Sequence, residues 1–418
     1  MASAPSPTPP PPPLAAAPSL WPWRIRAVGA GLGLVYLSVF LYQTLAIREG
    51  LDPWGHPPGH DFLTFYAAAL LARAGQAALA YDPLALFATF RQVLGVSALD
   101  FPNPWYYPPF TLLLIAPLAC LPYVVAIFAW SLGSLAGYLV LLTRAIAPHP
   151  LTLWVALGFP GIMANLAYGQ TGFWTALFLG SGLYLLPRRA FLAGALLGLA
   201  TCKPHLGLLV PVALVAGRFW SALAGFGATV AVLVSVSFAA FGLDTWQAFF
   251  AILPLPLRSL QGDSPRWPQM ITPFAGLRLL GFGPEAAGLA QGVITLGVVL
   301  TIIWFWSSGR ASAPVRAAAL ALGALLATPH GFDYDLPVLA LVLGWMWQER
   351  GQTGWRRGET IQWWLLWSLP FLGRGLASTI GLPITPLILL LSLASLARRV
   401  AASPGAENTC RSADHRTA

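Results

Sequence analysis

Charged side chains are scarce in this chain: Asp, Glu, Lys and Arg together make up 9% of its 418 residues. A water-soluble domain carries about 25%, because its surface must face water. A chain this poor in charge has to face lipid instead. Lysine is nearly absent, with Lys203 the single example. The three cysteines, Cys120, Cys202 and Cys410, fit neither a disulfide framework nor a zinc pattern. Two of them lie in apolar segments, where cysteine behaves as a small buried hydrophobe. No glycine-rich loop for a soluble nucleotide occurs, so no nucleotide cofactor is expected. No internal repeat is visible either, whereas many secondary transporters are built from repeated halves. The net charge of +9 is spread as single and paired arginines. A nucleic-acid binder gathers its basic residues on one face, so nucleic acid is not an expected partner.

What fills the chain is apolar. Hydrophobic residues make up 57%, with 18 Trp and 23 Phe, and aromatics collect at bilayer interfaces. Apolar runs cover residues 28–47, 122–143, 151–167, 171–187, 191–202, 204–217, 220–241, 287–307, 312–328, 335–348, 361–377 and 380–397. These predict an all-α integral membrane protein with about 12 transmembrane helices. Several runs are shorter than the roughly 20 residues of an ideal span, so they must tilt, be extended by flanking Trp, or break at proline. Segment 110–120 is too short to span and reads as a re-entrant or interfacial piece. Placing Arg24 and Arg26 in the cytoplasm and alternating the spans puts Arg144, Arg188, Arg189, Arg218, Arg310, Arg316, Arg350, Arg356, Arg357, Arg398 and Arg399 on the same side. The first apolar run then reads as a retained span rather than a cleaved signal. Residues 1–20 are a Pro-rich cytoplasmic tail expected to be disordered, 21–400 the membrane domain, and 401–418 a second disordered tail.

Eight aspartates fall on the opposite, outer side: Asp52, Asp61, Asp82, Asp100, Asp244, Asp263, Asp333 and Asp335. The long first outer loop, 48–110, holds four of them. It contains two helix-like stretches, 62–74 and 83–94, which are expected to lie flat in the interface. The stretch 101–109, with four prolines, cannot be helical. A second outer loop covers 242–286, and a third the short stretch around 328–335.

Five groups could carry chemistry. Asp61 sits at the start of a helix, where it can serve as an N-cap or as a general base toward an acceptor hydroxyl. Lys203, in Ala-Thr-Cys-Lys-Pro-His, either snorkels to headgroups or meets a phosphate as a compact point charge, with His205 beside it. His330, Asp333 and Asp335 fall within six residues between apolar spans, which is unusual for filler. They also form a solvated turn readily, and His with two Asp in one loop is a weak metal signal, so no metal site is assigned. Arg258 and Arg266 in the second outer loop either anchor at the interface or bind phosphate. Asn165, Tyr168, Gly169 and Gln170 mark a tight outer turn whose polar side chains either reach a sugar or only close the turn.

In order along residues 28–350, Asp61-Phe-Leu-Thr-Phe-Tyr66, Tyr81-Asp82-Pro83, Tyr106-Tyr107-Pro108-Pro109, Asn165 through Gly169-Gln170, Ala193-Gly194 through Lys203-Pro204, and Pro329-His330 with Asp333-Tyr334-Asp335 resemble glycosyltransferase family 87. These are polyprenol-phosphate-mannose-dependent mannosyltransferases. The resemblance implies a GT-C fold, a polyprenyl-phosphate hexose donor, a lipid or glycan acceptor, and inverting transfer on the periplasmic or extracellular side of the plasma membrane. It implies Asp61 as catalytic base and His330 as a residue that orients Asp61 or contacts the leaving phosphate. Lys203, Arg258 and Arg266 are expected at the donor phosphate, and Tyr66, Tyr107, Gln170, His205 and Asp333 around the substrates. The alternative is a transporter or flippase for a lipid-linked sugar, which needs the cations and no base.

Overall fold

The computed structural model describes residues 21–402, apart from 98, 100–102 and 265. The expected tail 1–20 and residues 403–418 of the second tail lie outside the described residues, as do Asp100 and Cys410. The described chain is helical and contains no sheet.

The helices are α1 Trp21–Leu45, α2 Asp61–Arg73, α3 Pro83–Leu94, α4 Pro109–Ile115, α5 Tyr123–Leu141, α6 Thr152–Leu157, α7 Gly161–Tyr168, α8 Gly172–Leu185, α9 Ala190–Leu199 and α10 Pro204–Gly207. They continue as α11 Leu209–Ala216, α12 Trp220–Ile252, α13 Pro254–Ser259, α14 Pro273–Leu279, α15 Pro284–Ser307, α16 Ala313–Leu326, α17 Val338–Thr353, α18 Glu359–Ile380 and α19 Ile384–Ala401. Among the described residues, five stretches are long and apolar enough to cross a bilayer: Pro22–Leu45, Tyr123–Ile146, Trp220–Ser259, Pro284–Ser307 and Ile384–Ala401. With this composition, they make the protein a membrane protein.

The remaining apolar segments are short or broken, and each break has a local cause. The run 151–167 is two helices, α6 and α7, separated at Pro160, which has no N–H to continue the ladder. The run 204–217 likewise divides into α10 and α11. The second outer loop begins later than expected. Helix α12 passes through Gly242, where φ is 76° and ψ 175°, and continues to Ile252. Only glycine adopts that conformation without a steric penalty, so the helix kinks there instead of stopping.

A second correction concerns α2. It was expected to lie flat in the interface, but eleven of its thirteen residues are buried. A helix apolar on all sides belongs inside a protein. Its alanines, Ala67 to Ala69, are wholly buried. Tyr66 donates its hydroxyl to the Leu121 carbonyl at 2.7 Å, and Arg73 Nη1 donates to the Ala119 carbonyl at 2.7 Å. The helix is therefore docked along the segment that precedes α5. The bundle's interior is formed by α16 and α17, which present buried residues on every face.

Small residues set the closest helix contact. A Cβ at Gly194 of α9 would lie 1.7 Å from the Ala222 carbonyl oxygen of α12, and one at Gly225 of α12 would lie 2.1 Å from that of Phe191. Gly194 and Gly198 are four apart, the spacing that lets two membrane helices touch backbone to backbone. At the ends of α17, α18 and α19 away from the 328–335 loop, Arg399 bridges Glu349 and Glu359 in a buried cluster, with Nη1 2.7 Å from both Glu359 oxygens.

Candidate active site

Asp61 is the first residue of α2, and His60 before it takes the N-cap position with φ 41°. The Asp61 carboxylate does not cap the helix. Its Oδ1 accepts from Asn103 Nδ2 at 2.9 Å and its Oδ2 from Gln170 Nε2 at 2.7 Å. Asn103 is held in turn by Thr64, whose Oγ1 accepts from Nδ2 at 2.9 Å and donates to the Asn103 carbonyl at 3.1 Å. Gln170 Oε1 accepts from the Tyr107 hydroxyl at 3.0 Å and from the Thr171 N–H at 3.1 Å. With the oxygen engaged twice, the amide nitrogen of Gln170 faces the carboxylate. The N-terminus of α2 adds its partial positive charge.

Gln170 reaches this place because of the turn before it. Gly169 has φ 59°, and a Cβ there would lie 2.6 Å from that of Phe62. Any other residue would be strained and would push α2 away. Trp130 Nε1 donates to the Gly169 carbonyl at 3.0 Å, and Asn165 Nδ2 to the Tyr334 carbonyl at 3.0 Å. The turn 165–170 thus joins Asp61 to the 328–335 loop.

On that loop, Lys203 Nζ pairs with Asp335 and lies 4.7 Å from the centre of the Tyr334 ring. Asp335 Oδ2 also accepts from the Phe332 N–H at 3.2 Å, with His205 Nε2 at 3.9 Å. Burial alone would raise the Asp335 carboxyl, but Lys203 and then His205 hold it below the usual range. The Tyr334 hydroxyl is raised well above its ordinary value, first by burial and then by the charges of Asp61 and Asp335. Both carboxylates thus act electrostatically on that hydroxyl. Tyr107 senses the same pair. Tyr107, Gln170 and Asp61 form one hydrogen-bonded chain, and the group of Lys203, Asp335 and Tyr334 is joined to it through the 165–170 turn.

The other expected residues distribute unevenly. His330 makes no hydrogen bond to Asp61 among the described residues, so it does not orient that carboxylate. Its ring instead faces His205 at 6.5 Å and Phe332 at 5.1 Å, and its Nδ1 is buried without a partner among the described residues. Burial pushes the His330 imidazole down to about 4. Asp333 binds Arg374 Nη1 at 2.9 Å, and burial lifts its carboxyl to about 6 against the pull of that arginine. Arg374 also donates to the Tyr168 hydroxyl at 2.7 Å. Exposed Arg266 acts electrostatically on His330 and Tyr106. Arg258 lines a different groove, of about 420 Å³, with Tyr81 and Asp82. Tyr66 donates its hydroxyl to the Leu121 carbonyl.

Two partners were missed from the sequence. Asn103 stood in a proline-rich stretch read only as non-helical. Arg374 stood inside the apolar run 361–377, where a charge is itself a signal of function or pairing. Behind Lys203 lies a cavity of about 120 Å³ with apolar walls that include Leu114, Trp174, Phe178 and Leu199, and with Thr171 and Thr175 alongside.

The chain was compared with known proteins. Residues 105–329 match the profile of glycosyltransferase family 87. A relative from Mycolicibacterium smegmatis, a polyprenol-phosphate-mannose-dependent alpha-(1-2)-phosphatidylinositol pentamannoside mannosyltransferase, is 26% identical over 297 residues, 66% of this chain and 68% of the relative. No solved structure matches the chain. The match covers more than half of the sequence, and this membrane chain belongs to glycosyltransferase family 87.

Proposed function

We propose that the protein transfers a hexose, mannose by analogy with its relative, from a polyprenyl-phosphate donor to a lipid or glycan acceptor, with Asp61 as general base. The reading includes a GT-C-type bundle of about 12 crossings, counting broken segments, over residues 21–400. It also includes a periplasmic or extracellular site in the plasma membrane and cytoplasmic tails at 1–20 and 401–418. One observation carries it: Asp61 is held between Asn103 and Gln170, and the 165–170 turn joins it to the loop where Asp335 pairs with Lys203, which itself lines an apolar cavity.

The chemistry follows from those parts. The acceptor hydroxyl attacks the anomeric carbon from the face opposite the phosphate, so the configuration inverts. Its proton passes to Asp61 as the new carbon–oxygen bond forms. The bond from the anomeric carbon to the phosphate oxygen breaks, and polyprenyl phosphate leaves with the electron pair. Phosphate is a good leaving group, so no general acid is needed. Nearby cations stabilise the charge that develops on it. Lys203 and Arg266 serve that role, with Arg258 further along the outer surface. Gln170 and Tyr107 contact the sugar, and His205 and Asp333 shape the phosphate side. The prenyl chain lies along the apolar walls behind Lys203.

The test is Asp61→Asn, assayed with polyprenyl-phosphate mannose and membrane acceptors. Transfer is expected to fall about 10²–10⁴-fold while donor binding persists. Undiminished transfer would remove the base assignment. Movement of the donor across the bilayer, without transfer by either protein, would favour a flippase.

A further inference from the structure

The segment just ahead of Asp61 carries a second cluster that takes no part in sugar transfer as described above. Asp52, His56 and His60 recur at intervals of four in Asp-Pro-Trp-Gly-His-Pro-Pro-Gly-His. One donor atom from each lies within 4.8 Å of the other two. The Asp52 side chain is fully buried. Its Oδ1 accepts from the Trp54 N–H at 2.9 Å and the His56 N–H at 2.8 Å, which fixes the carboxylate plane. Its Oδ2 has no hydrogen-bond partner among the described residues, although it is buried. The nearest imidazole nitrogen, His60 Nε2, is 3.8 Å away, beyond hydrogen-bond length. A buried carboxylate oxygen with no donor is costly unless something positive satisfies it.

We infer that Asp52, His56 and His60 bind a divalent first-row cation, with zinc the best match. Two imidazoles and one carboxylate are the ligand set zinc takes readily, whereas calcium and magnesium favour oxygen-only shells. A bound zinc holds its donors about 3.4 Å apart, so the cluster must tighten. His56 is the residue free to do this, since its side chain is 53% exposed. His60 is the fixed side, with its ring edge-to-face on Tyr168 at 5.2 Å. The Asp52 carboxylate already has the backbone bonds that orient a metal ligand. The ion ties the start of the 52–60 segment to the residue directly before Asp61. It thereby fixes the N-terminus of α2. The binding site stands whether or not the sugar-transfer assignment holds.

The experiment uses the full-length protein in detergent, stripped with a chelator and titrated with cobalt(II) and then zinc. One equivalent of cobalt is expected to give the visible absorption of a low-coordinate nitrogen–oxygen centre, and zinc to displace it and raise the melting temperature. His56→Ala should weaken cobalt binding by more than the roughly ten- to hundredfold that loss of an outer-shell partner costs, with the metal-free melting temperature unchanged. Asp52→Asn keeps an oxygen for the two backbone N–H groups and replaces Oδ2 with a nitrogen that cannot ligate. It should weaken binding in the same way, which separates lost ligation from a misfolded loop. Wild-type protein that takes up no cobalt, or variants that bind it as tightly as the wild type, would overturn the assignment.

Discussion

Lys203, the single lysine, meets Asp335 across a buried pair, and both belong to the proposed phosphate side of the site. From the sequence alone, replacing it should impair donor use more than folding. The structure changes that expectation. Removing one partner of a buried ion pair leaves an uncompensated charge and costs about 3–5 kcal/mol. Lys203→Ala is therefore expected to lower stability as well as activity, read by thermal melting in detergent. Lys203→Met combined with Asp335→Asn removes both charges and should recover most of the melting temperature without recovering transfer. Recovery of both would mean that the pair is purely structural. At this scale Asp61 and Gln170 stood out as residues with chemistry in a lipid-facing chain. That they touch each other did not, because 109 residues separate them. The 52–60 spacing was not singled out in the sequence, and the proposed cation site emerged only from the loop's fold, which buries Asp52 beside His56 and His60.

Among the elements, α9 and α12 depend on the absence of side chains. The clash at Gly194 is with backbone, which cannot rotate aside as a side chain can. Overpacking ordinarily costs about 1–3 kcal/mol, and a backbone collision at 1.7 Å lies at or beyond the upper end. Gly194→Val is expected to abolish monodisperse protein on size exclusion. Gly227→Ala, on α12 where a Cβ meets nothing within 4 Å, should be neutral or stabilising by up to about 1 kcal/mol. Equal behaviour of the two would contradict close α9–α12 packing. Apolar runs predicted most helices within a few residues, because composition alone dictates them in lipid. A break at proline was expected in the short runs, and Pro160 supplies one; the kink at Gly242 and the burial of α2 did not follow, since a short apolar helix reads the same whether it faces protein or headgroups.

Over the whole molecule, polar groups gather toward two ends of the bundle. One holds Asp61 and the 328–335 loop; the other holds Arg399 with Glu349 and Glu359. In the orientation proposed from the arginine pattern, the first faces outside and the second the cytoplasm. Pro53→Cys, at an exposed position in a background without other cysteines, is expected to react with a membrane-impermeant maleimide on intact cells. Reaction only after permeabilisation would invert the orientation and move the proposed site to the cytoplasm. Arg399 illustrates how one residue serves both scales: in the sequence it counts as a topology signal, and in the fold it is the buried hub of three helices.

The sequence by itself determined that this chain lives in a bilayer, that it is helical, and which of its few ionisable residues merited attention. Those properties are sums over local composition, and lipid permits few alternatives. Tertiary structure alone decided that Asn103 and Gln170 grip Asp61, that Lys203 answers Asp335, and that Arg374 belongs to the site. Each depends on contacts between segments remote in the chain, where hydrogen-bond geometry, rather than residue type, selects the partner.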